Sequence, residues 1–252
     1  MGKFDGFLLM SDFDRTLSHD MQISPENCDA IRYFQSEGGL FALASGRRPG
    51  WGMKWADFVL PNTWCAMLNG AVLCDNTGEN AIYKQPIEDD YFDLAKRIVA
   101  VCPELDRIHF INYNDSVIVN KSEDLNIAAA ITEPVYKMLF HTPAELSDEY
   151  TAKITALAAP HCITMRSWIN GIEVQKAGTG KGGAVRRLRE ILGDRVHTVV
   201  AAGDYENDID MIKAADIGYA VENAVPSLKA VADRVTVSCE KHALAHIIED
   251  LS

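Results

Sequence analysis

Asp12-Phe13-Asp14-Arg15-Thr16-Leu17, entered directly from the apolar run Phe7-Leu8-Leu9-Met10, decides how the rest of the chain is read. The pattern is that of a short buried strand opening into a loop. Two carboxylates at i and i+2 leave an extended chain on one side, so their charges repel unless a cation, a proton or an ammonium compensates. In an α/β protein the carboxyl end of such a strand is where ligands bind.

Size and composition set the frame. The 252 residues are 48% hydrophobic and 24% charged, the ordinary range of a globular chain and enough for one good core or two smaller ones. A formal net charge of -12 argues against nucleic-acid or anionic-membrane partners, which need a basic stripe; Lys and Arg run no further than pairs such as Arg47-Arg48 and Arg186-Arg187. A small anionic substrate stays compatible, given a locally positive or metal-loaded site. No apolar stretch approaches the roughly 18 residues that span a bilayer, and the first strand begins too early to leave room for a signal peptide. Met1-Gly2 lacks the Ser or Thr of a myristoylation motif, having Gly6 there. Cys28, Cys65, Cys74, Cys102, Cys162 and Cys239 are dispersed, without metal spacing, and read as reduced, buried residues of a cytoplasmic protein.

Apolar runs alternate with helical-period stretches, which predicts an α/β fold with a doubly wound parallel sheet. Ser24-Pro25-Glu26 starts a helix that Gly38-Gly39 ends, and Leu40 to Ala44 forms a second buried strand leading into Ser45-Gly46-Arg47-Arg48-Pro49. Cys65 to Leu68 and Ala71 to Cys74 flank Asn69-Gly70, the signature of a tight hairpin turn. From 82 to 172 the order becomes helix, two strands, helix, strand, helix, two strands, which predicts an inserted α+β cap within a core made of 1–81 and 173–252. The alternation then resumes with a helix from Lys181 and the strand Thr198 to Ala202 running into Gly203-Asp204.

Asp12/Asp14/Thr16, Ser45, Lys181, and Gly203-Asp204 with Asn207-Asp208 are thereby expected on one sheet edge, Lys181 at a helix start that favours anions. They supply a nucleophilic carboxylate, a second carboxyl group, a hydroxyl, an ammonium and oxygen ligands for a hard metal. Phosphoryl transfer needs that inventory, because charge on the transferring oxygens must be neutralised while the attacking atom is held in line.

On these residues the chain resembles the haloacid dehalogenase superfamily. Asp12-Phe13-Asp14-Arg15-Thr16 matches its DxDxT motif, Ser45 in Ala44-Ser45-Gly46-Arg47 its second, Lys181 its third and Gly203-Asp204-Tyr205-Glu206-Asn207-Asp208 its acidic fourth. The order of Ser-Gly-Arg, Asn-Gly, the cap strand Val135 to Phe140 and Gly-Asp-x-x-Asn-Asp is similar to the Cof-type, subfamily IIB, sugar-phosphatase-like branch, across essentially the whole chain. The resemblance implies a Mg²⁺-dependent phosphatase of small phosphorylated metabolites working through an aspartyl phosphate. It implies Asp12 as nucleophile and Asp14 as acid and base, with Lys181 beside them. It implies metal binding by Asp12, Asp14 (through its main-chain carbonyl), Asp204 and Asp208, and phosphate or substrate contacts among Thr16, Ser45, Gly46, Arg47, Asn69 and Asn207. Arg47 reads equally as a solvated arginine, and Asn69 equally as turn chemistry. Arg15 stands where family members often carry Gly and is expected to point away from Asp12 and Asp14. In the cap, Lys137 and Arg166 invite a substrate role, whereas Trp168 reads as packing.

Gly178-Thr179-Gly180-Lys181-Gly182-Gly183 also satisfies GxGxxG, with Asp204 about 20 residues on as in a dinucleotide-binding unit. That reading leaves Asp12, Asp14 and Ser45 unexplained, and Gly182 stands where a P-loop needs Ser or Thr. A phospho-acceptor signalling domain shares the acidic cluster, but it is about half this length and carries its acceptor on a middle strand. A phosphomutase shares the aspartyl phosphate and returns the group to sugar.

Overall fold

The computed structural model describes residues 2–52, 61–88, 90–121 and 123–252, and the chain divides into two compact units, Met1–Tyr83 with Gly180–Ser252, and Lys84–Thr179. In the first unit the strands are β1 (Phe7–Ser11), β2 (Leu40–Leu43), the small antiparallel group β3 (Cys65–Met67), β4 (Val72–Cys74) and β5 (Ala81–Lys84), and, after the second unit, β11 (Thr198–Gly203), β12 (Ile217–Ala220) and β13 (Arg234–Val235). The main sheet is parallel throughout, in the order β13-β12-β11-β1-β2. β1 is an interior strand between β2 and β11, and Leu8, Leu9 and Met10 are buried whichever face they project from, which is why the sequence there is continuously apolar. The chain steps from β1 to β2 on one side and later to β11 on the other, making β1 and β11 the point where strand order reverses.

Helix α1 (Pro25–Ser36) begins as its sequence specifies: the Ser24 side chain accepts the Asn27 N–H, and proline occupies the first turn. The expected doubly wound α/β fold is therefore present.

The second unit carries β6 (Arg107–Ile111), β7 (Ser116–Asn120), β8 (Lys137–His141), β9 (Cys162–Trp168) and β10 (Gly171–Lys176), an antiparallel sheet in the order β7-β6-β8-β10-β9. Its helices α2 (Tyr91–Val101) and α3 (Ser147–Ala158) cover one face, where Leu94, Ile98, Tyr150 and Ile154 pack against Ile108, Phe110, Met138, Phe140, Ile172 and Val174. On the alternate positions of the same strands Lys137 and Glu173 form a buried ion pair at 2.6 Å. Arg166 donates to Asp148, and the Trp168 ring lies 5.6 Å from that of His141.

The return to the first unit differs from the sequence expectation. A boundary at 172/173 would cut β10, which pairs with β8 and β9 through Gln175, and the contact boundary lies instead between Thr179 and Gly180. Alternation inside one strand does not state which sheet it joins, so the break was placed too early. Gly180, at φ +93°, makes the turn.

Within the second unit the His109 and His141 rings approach to 4.8 Å, each with a buried Nε2 that no partner meets. Burial, then the neighbouring His141, Arg107 and Lys137, holds His109 down to about 4; burial, then Arg107, lowers His141 as well. A folded-state value below the unfolded one means that the unfolded chain takes the proton first. Stability is thus complete above about pH 6.5 and declines as the pH falls toward about 4, by on the order of 1–3 kcal/mol for His109. Urea unfolding across that window should show a shallower pH slope for His109→Gln than for the wild type.

Candidate active site

β1 hands the chain to the site with its register intact. The Asp12 N–H donates to the Ala202 carbonyl at 2.9 Å, continuing the β1/β11 ladder, so Asp12 emerges beside Gly203. Ser18 closes the following loop, its N–H and its hydroxyl both donating to the Phe13 carbonyl at 2.9 Å. Arg15 does not continue an extended chain. At φ +60° its largely exposed side chain has Nε 3.5 Å from Asp204 Oδ2, a contact that the sequence does not announce. Thr16 is fully buried.

Helix α4 (Lys181–Leu192) brings the ammonium. Lys181 Nζ donates to Asp12 Oδ1 and to Asp208 Oδ1, each at 2.5 Å, with the lysine wholly out of solvent. Asp210, on α5 (Ile209–Ala214), accepts the Gly182 N–H and so supports the helix start that carries Lys181. Asp208 works on both sides: its Oδ2 accepts the N–H of Asp204 at 2.9 Å and of Tyr205 at 3.2 Å, folding the loop after β11 around itself.

Asp12, Asp204 and Asp208 offer carboxylate oxygens that all lie within 4.8 Å of one another, and all three residues are buried. Burial, opposed by Lys181 and reinforced by Asp208, Asp204 and Asp14, raises Asp12 well above the usual carboxylate range. Asp204 is pushed up to about 7 by burial and by Asp208, against the pull of Arg15 and Lys181. Burial alone would lower Lys181, but Asp12 and Asp208 outweigh it and the ammonium is held more firmly than in water. Asp12 Oδ2 is buried with no hydrogen-bond partner. An orphaned carboxylate oxygen within an oxygen-rich acidic group is a donor set that a hard divalent cation satisfies.

The remaining expected residues fall into two groups. Asn207 Nδ2 donates to Asn69 Oδ1 at 3.3 Å, and the Asn69 N–H donates to the Ser45 carbonyl at 2.9 Å, so the two asparagines and the Ser45 loop are joined. Ser45 is buried, its Oγ accepting the Arg47 N–H at 3.2 Å, with Gly46 between them. Asp14 stands apart from the acidic triad: Arg47 Nε donates to its Oδ2 at 2.7 Å and Arg47 NH2 to its Oδ1 at 2.5 Å. Sequence reasoning missed this pair, the Arg15–Asp204 contact and the Asp210 support. Of the three, only the glycine after Lys181 signalled a close approach at the start of α4: a Cβ there would sit 2.3 Å from the Asp210 carbonyl oxygen.

The Asn69-Gly70 turn is also larger than expected. Met67 pairs with Val72, leaving four residues, 68–71, in the loop, with Leu68, Asn69 and Gly70 all at positive φ. Gly70, at φ +85°, has no room for a side chain, since a Cβ would sit 2.5 Å from the Gly180 carbonyl oxygen and 3.0 Å from the Ala184 Cβ. Gly70→Ala is expected to cost on the order of 2–4 kcal/mol, from backbone strain plus overpacking, and to lower turnover by displacing Asn69 and the start of α4. Chemical denaturation checks the first effect and an assay at saturating substrate the second.

A parallel α/β core with acidic loops at its central strand ends and an inserted antiparallel unit is an architecture shared with known hydrolases. The profile of the haloacid dehalogenase-like hydrolases matches residues 9–248. A 5-amino-6-(5-phospho-D-ribitylamino)uracil phosphatase of Bacillus subtilis, YcsE, is 28% identical over 231 residues, covering 91% of this chain and 89% of that protein. In fold, the chain is similar to a haloacid dehalogenase-like hydrolase from Bacteroides thetaiotaomicron (TM-score 0.78, 24% identity, 97% and 99% of the two chains). It is also similar to a HAD subclass IIB sugar phosphatase (TM-score 0.80, 18% identity, 96% and 98%). The chain belongs to the haloacid dehalogenase-like hydrolase family, of the Cof type that its motif order indicates. No helix among the described residues is long and apolar enough to cross a membrane.

Proposed function

We propose that this hydrolase is a Mg²⁺-dependent phosphatase that removes the phosphoryl group from a small phosphomonoester, a phosphorylated sugar or related metabolite, through an aspartyl phosphate on Asp12. The observation that carries the proposal is the state of Asp12: Lys181 holds one oxygen, while the other is buried, unpartnered and beside two further carboxylates. Asp12, Asp204 and the main-chain carbonyl of Asp14 would hold the metal, with Asp208 beside the two carboxylates, and it would neutralise the phosphoryl oxygens.

Lys181 orients Asp12 and offsets its charge, so that a nucleophile surrounded by like charges stays in place. As the Asp12 oxygen bonds to phosphorus, the bond to the leaving oxygen breaks and its electron pair is protonated from Asp14. Water then attacks the aspartyl phosphate, Asp14 takes the water proton, and the Asp12 carboxylate is released. Ser45, Gly46, Asn69 and Asn207 form the linked polar group available to the phosphoryl oxygens. Thr16, buried with a hydroxyl that no partner meets, is available to the same oxygens. The inserted unit is assigned the selection of substrate. Six free cysteines fit a reducing, cytoplasmic setting.

A panel of phosphorylated metabolites assayed for inorganic phosphate with Mg²⁺ tests the reading. Release on some members, lost with EDTA and restored by excess Mg²⁺, is the expected result. Conversion between sugar phosphate isomers with no net phosphate would replace the phosphatase by a mutase, and inertness toward every monoester would remove enzymatic phosphoryl transfer altogether.

A further inference from the structure

We infer that Arg47 is a positioning residue that aims Asp14 at the leaving group, and is not a ligand of the transferring phosphoryl group. The inference rests on the phosphatase reading above. The two aspartates of the first loop each have their own cation, of different shape. Asp12 has the compact ammonium of Lys181, whereas Asp14 has a planar guanidinium that meets both its oxygens, Nε on Oδ2 at 2.7 Å and NH2 on Oδ1 at 2.5 Å.

Arg47 is itself fixed from several directions. Its N–H donates to Ser45 Oγ at 3.2 Å, and its carbonyl accepts the Leu68 N–H at 2.9 Å. Its guanidinium lies 5.6 Å from the centroid of Phe13, the residue between the two aspartates, and NH2 also reaches Met21 Sδ at 3.0 Å. Held at its backbone and across its flat face, the guanidinium meets Asp14 from a fixed direction.

The two-point fork is specific for an ionised carboxylate, since both oxygens must accept. It therefore matches Asp14 after its proton has gone. While Asp14 carries a proton, one oxygen keeps its contact with Arg47 and the other presents the proton to the ester oxygen. When the phosphorus–oxygen bond breaks, its electron pair stays on that oxygen, the proton moves onto it, and the carboxylate left behind closes into the fork. Arg47 thus holds the acid in line and stabilises its product, without touching phosphate.

Leaving groups separate this role from phosphate binding. A primary alkyl phosphate departs as an alkoxide and needs the proton; 4-nitrophenyl phosphate departs as a stable phenolate and does not. Arg47→Ala is expected to slow phosphorylation of Asp12, read in a single turnover at saturating ester, roughly 100-fold for the alkyl ester and by about threefold or less for the aryl ester, while the later attack by water, which also uses Asp14, slows equally for both. Arg47→Lys, which keeps the charge but not the fork, should show the same selectivity in milder form, and it carries the test if the alanine variant does not fold. Equal losses on both esters in that phosphorylation step, or a loss confined to KM, would overturn the assignment and make Arg47 a phosphate ligand. Wild-type protein inert on both esters would instead remove the parent phosphatase reading, and the inference with it, before any variant is measured.

Discussion

Asp12→Asn should abolish phosphate release, by at least about 10⁴-fold, while leaving the fold at least as stable as the wild type in the absence of divalent metal. The replacement keeps the volume and leaves a carbonyl oxygen that still accepts from Lys181, now 2.5 Å from Asp12 Oδ1. What disappears is the lone pair able to form an acyl phosphate, together with repulsion from Asp208, Asp204 and Asp14. Because burial and those neighbours disfavour the charged Asp12, a neutral isostere loses no folding energy at neutral pH. Thermal melts without metal and a phosphate assay with Mg²⁺ measure the two halves separately. Residual turnover above about one per cent of wild type would exclude Asp12 as the nucleophile.

Lys181→Met is expected to have the largest effect on stability. The side chain is wholly buried and shared by two buried carboxylates at 2.5 Å each. Methionine fills much of the same space but leaves both carboxylates facing an acidic group with no ammonium between them. Breaking a buried pair by removing one partner costs roughly 3–5 kcal/mol, and loss of a preorganised charge at the reacting group lowers kcat by on the order of 10³-fold. Millimolar Mg²⁺ should raise the melting temperature of this variant more than that of the wild type, since cation binding to the folded form replaces part of the missing charge. An unchanged melting temperature in the variant, with or without metal, would show that the cluster is not held together by Lys181.

The parts of the site that can be read from the chain are those where residue type and spacing both carry information. Asp12 and Asp14 follow a continuous apolar strand, Asp204 follows another, and Lys181 opens a helix after a glycine turn; parallel pairing of β1 with β11 brings the first two together. Contacts between side chains distant in sequence are not legible in that way. Asp14 and Arg47 lie 33 positions apart, and nothing local distinguishes a guanidinium that forks a carboxylate from one facing water. The Arg15–Asp204 contact is equally hidden, since a single residue at φ +60° sets where that side chain goes. The Asn69-Gly70 pair carries the chemistry of a two-residue turn, yet the loop is set by Gly70 lying against Gly180, a tertiary contact. The end of β10 is no more legible, because its neighbours, not its own pattern, decide where the insertion stops.

The discontinuous unit has a consequence for the order in which the protein is made. Lys84–Thr179 is an unbroken length of chain whose sheet partners are all present once it has left the ribosome, so it is able to fold while synthesis continues. β1, by contrast, emerges early and waits for β11, at Thr198–Gly203, as its second neighbour, with Phe7 to Met10 uncovered on that side until translation is most of the way through. The acidic group assembles later than either strand, which makes the nascent first unit the state in which chaperone capture or misassociation is to be sought. Protease protection of ribosome-stalled chains should accordingly appear first in the insertion and last around β1.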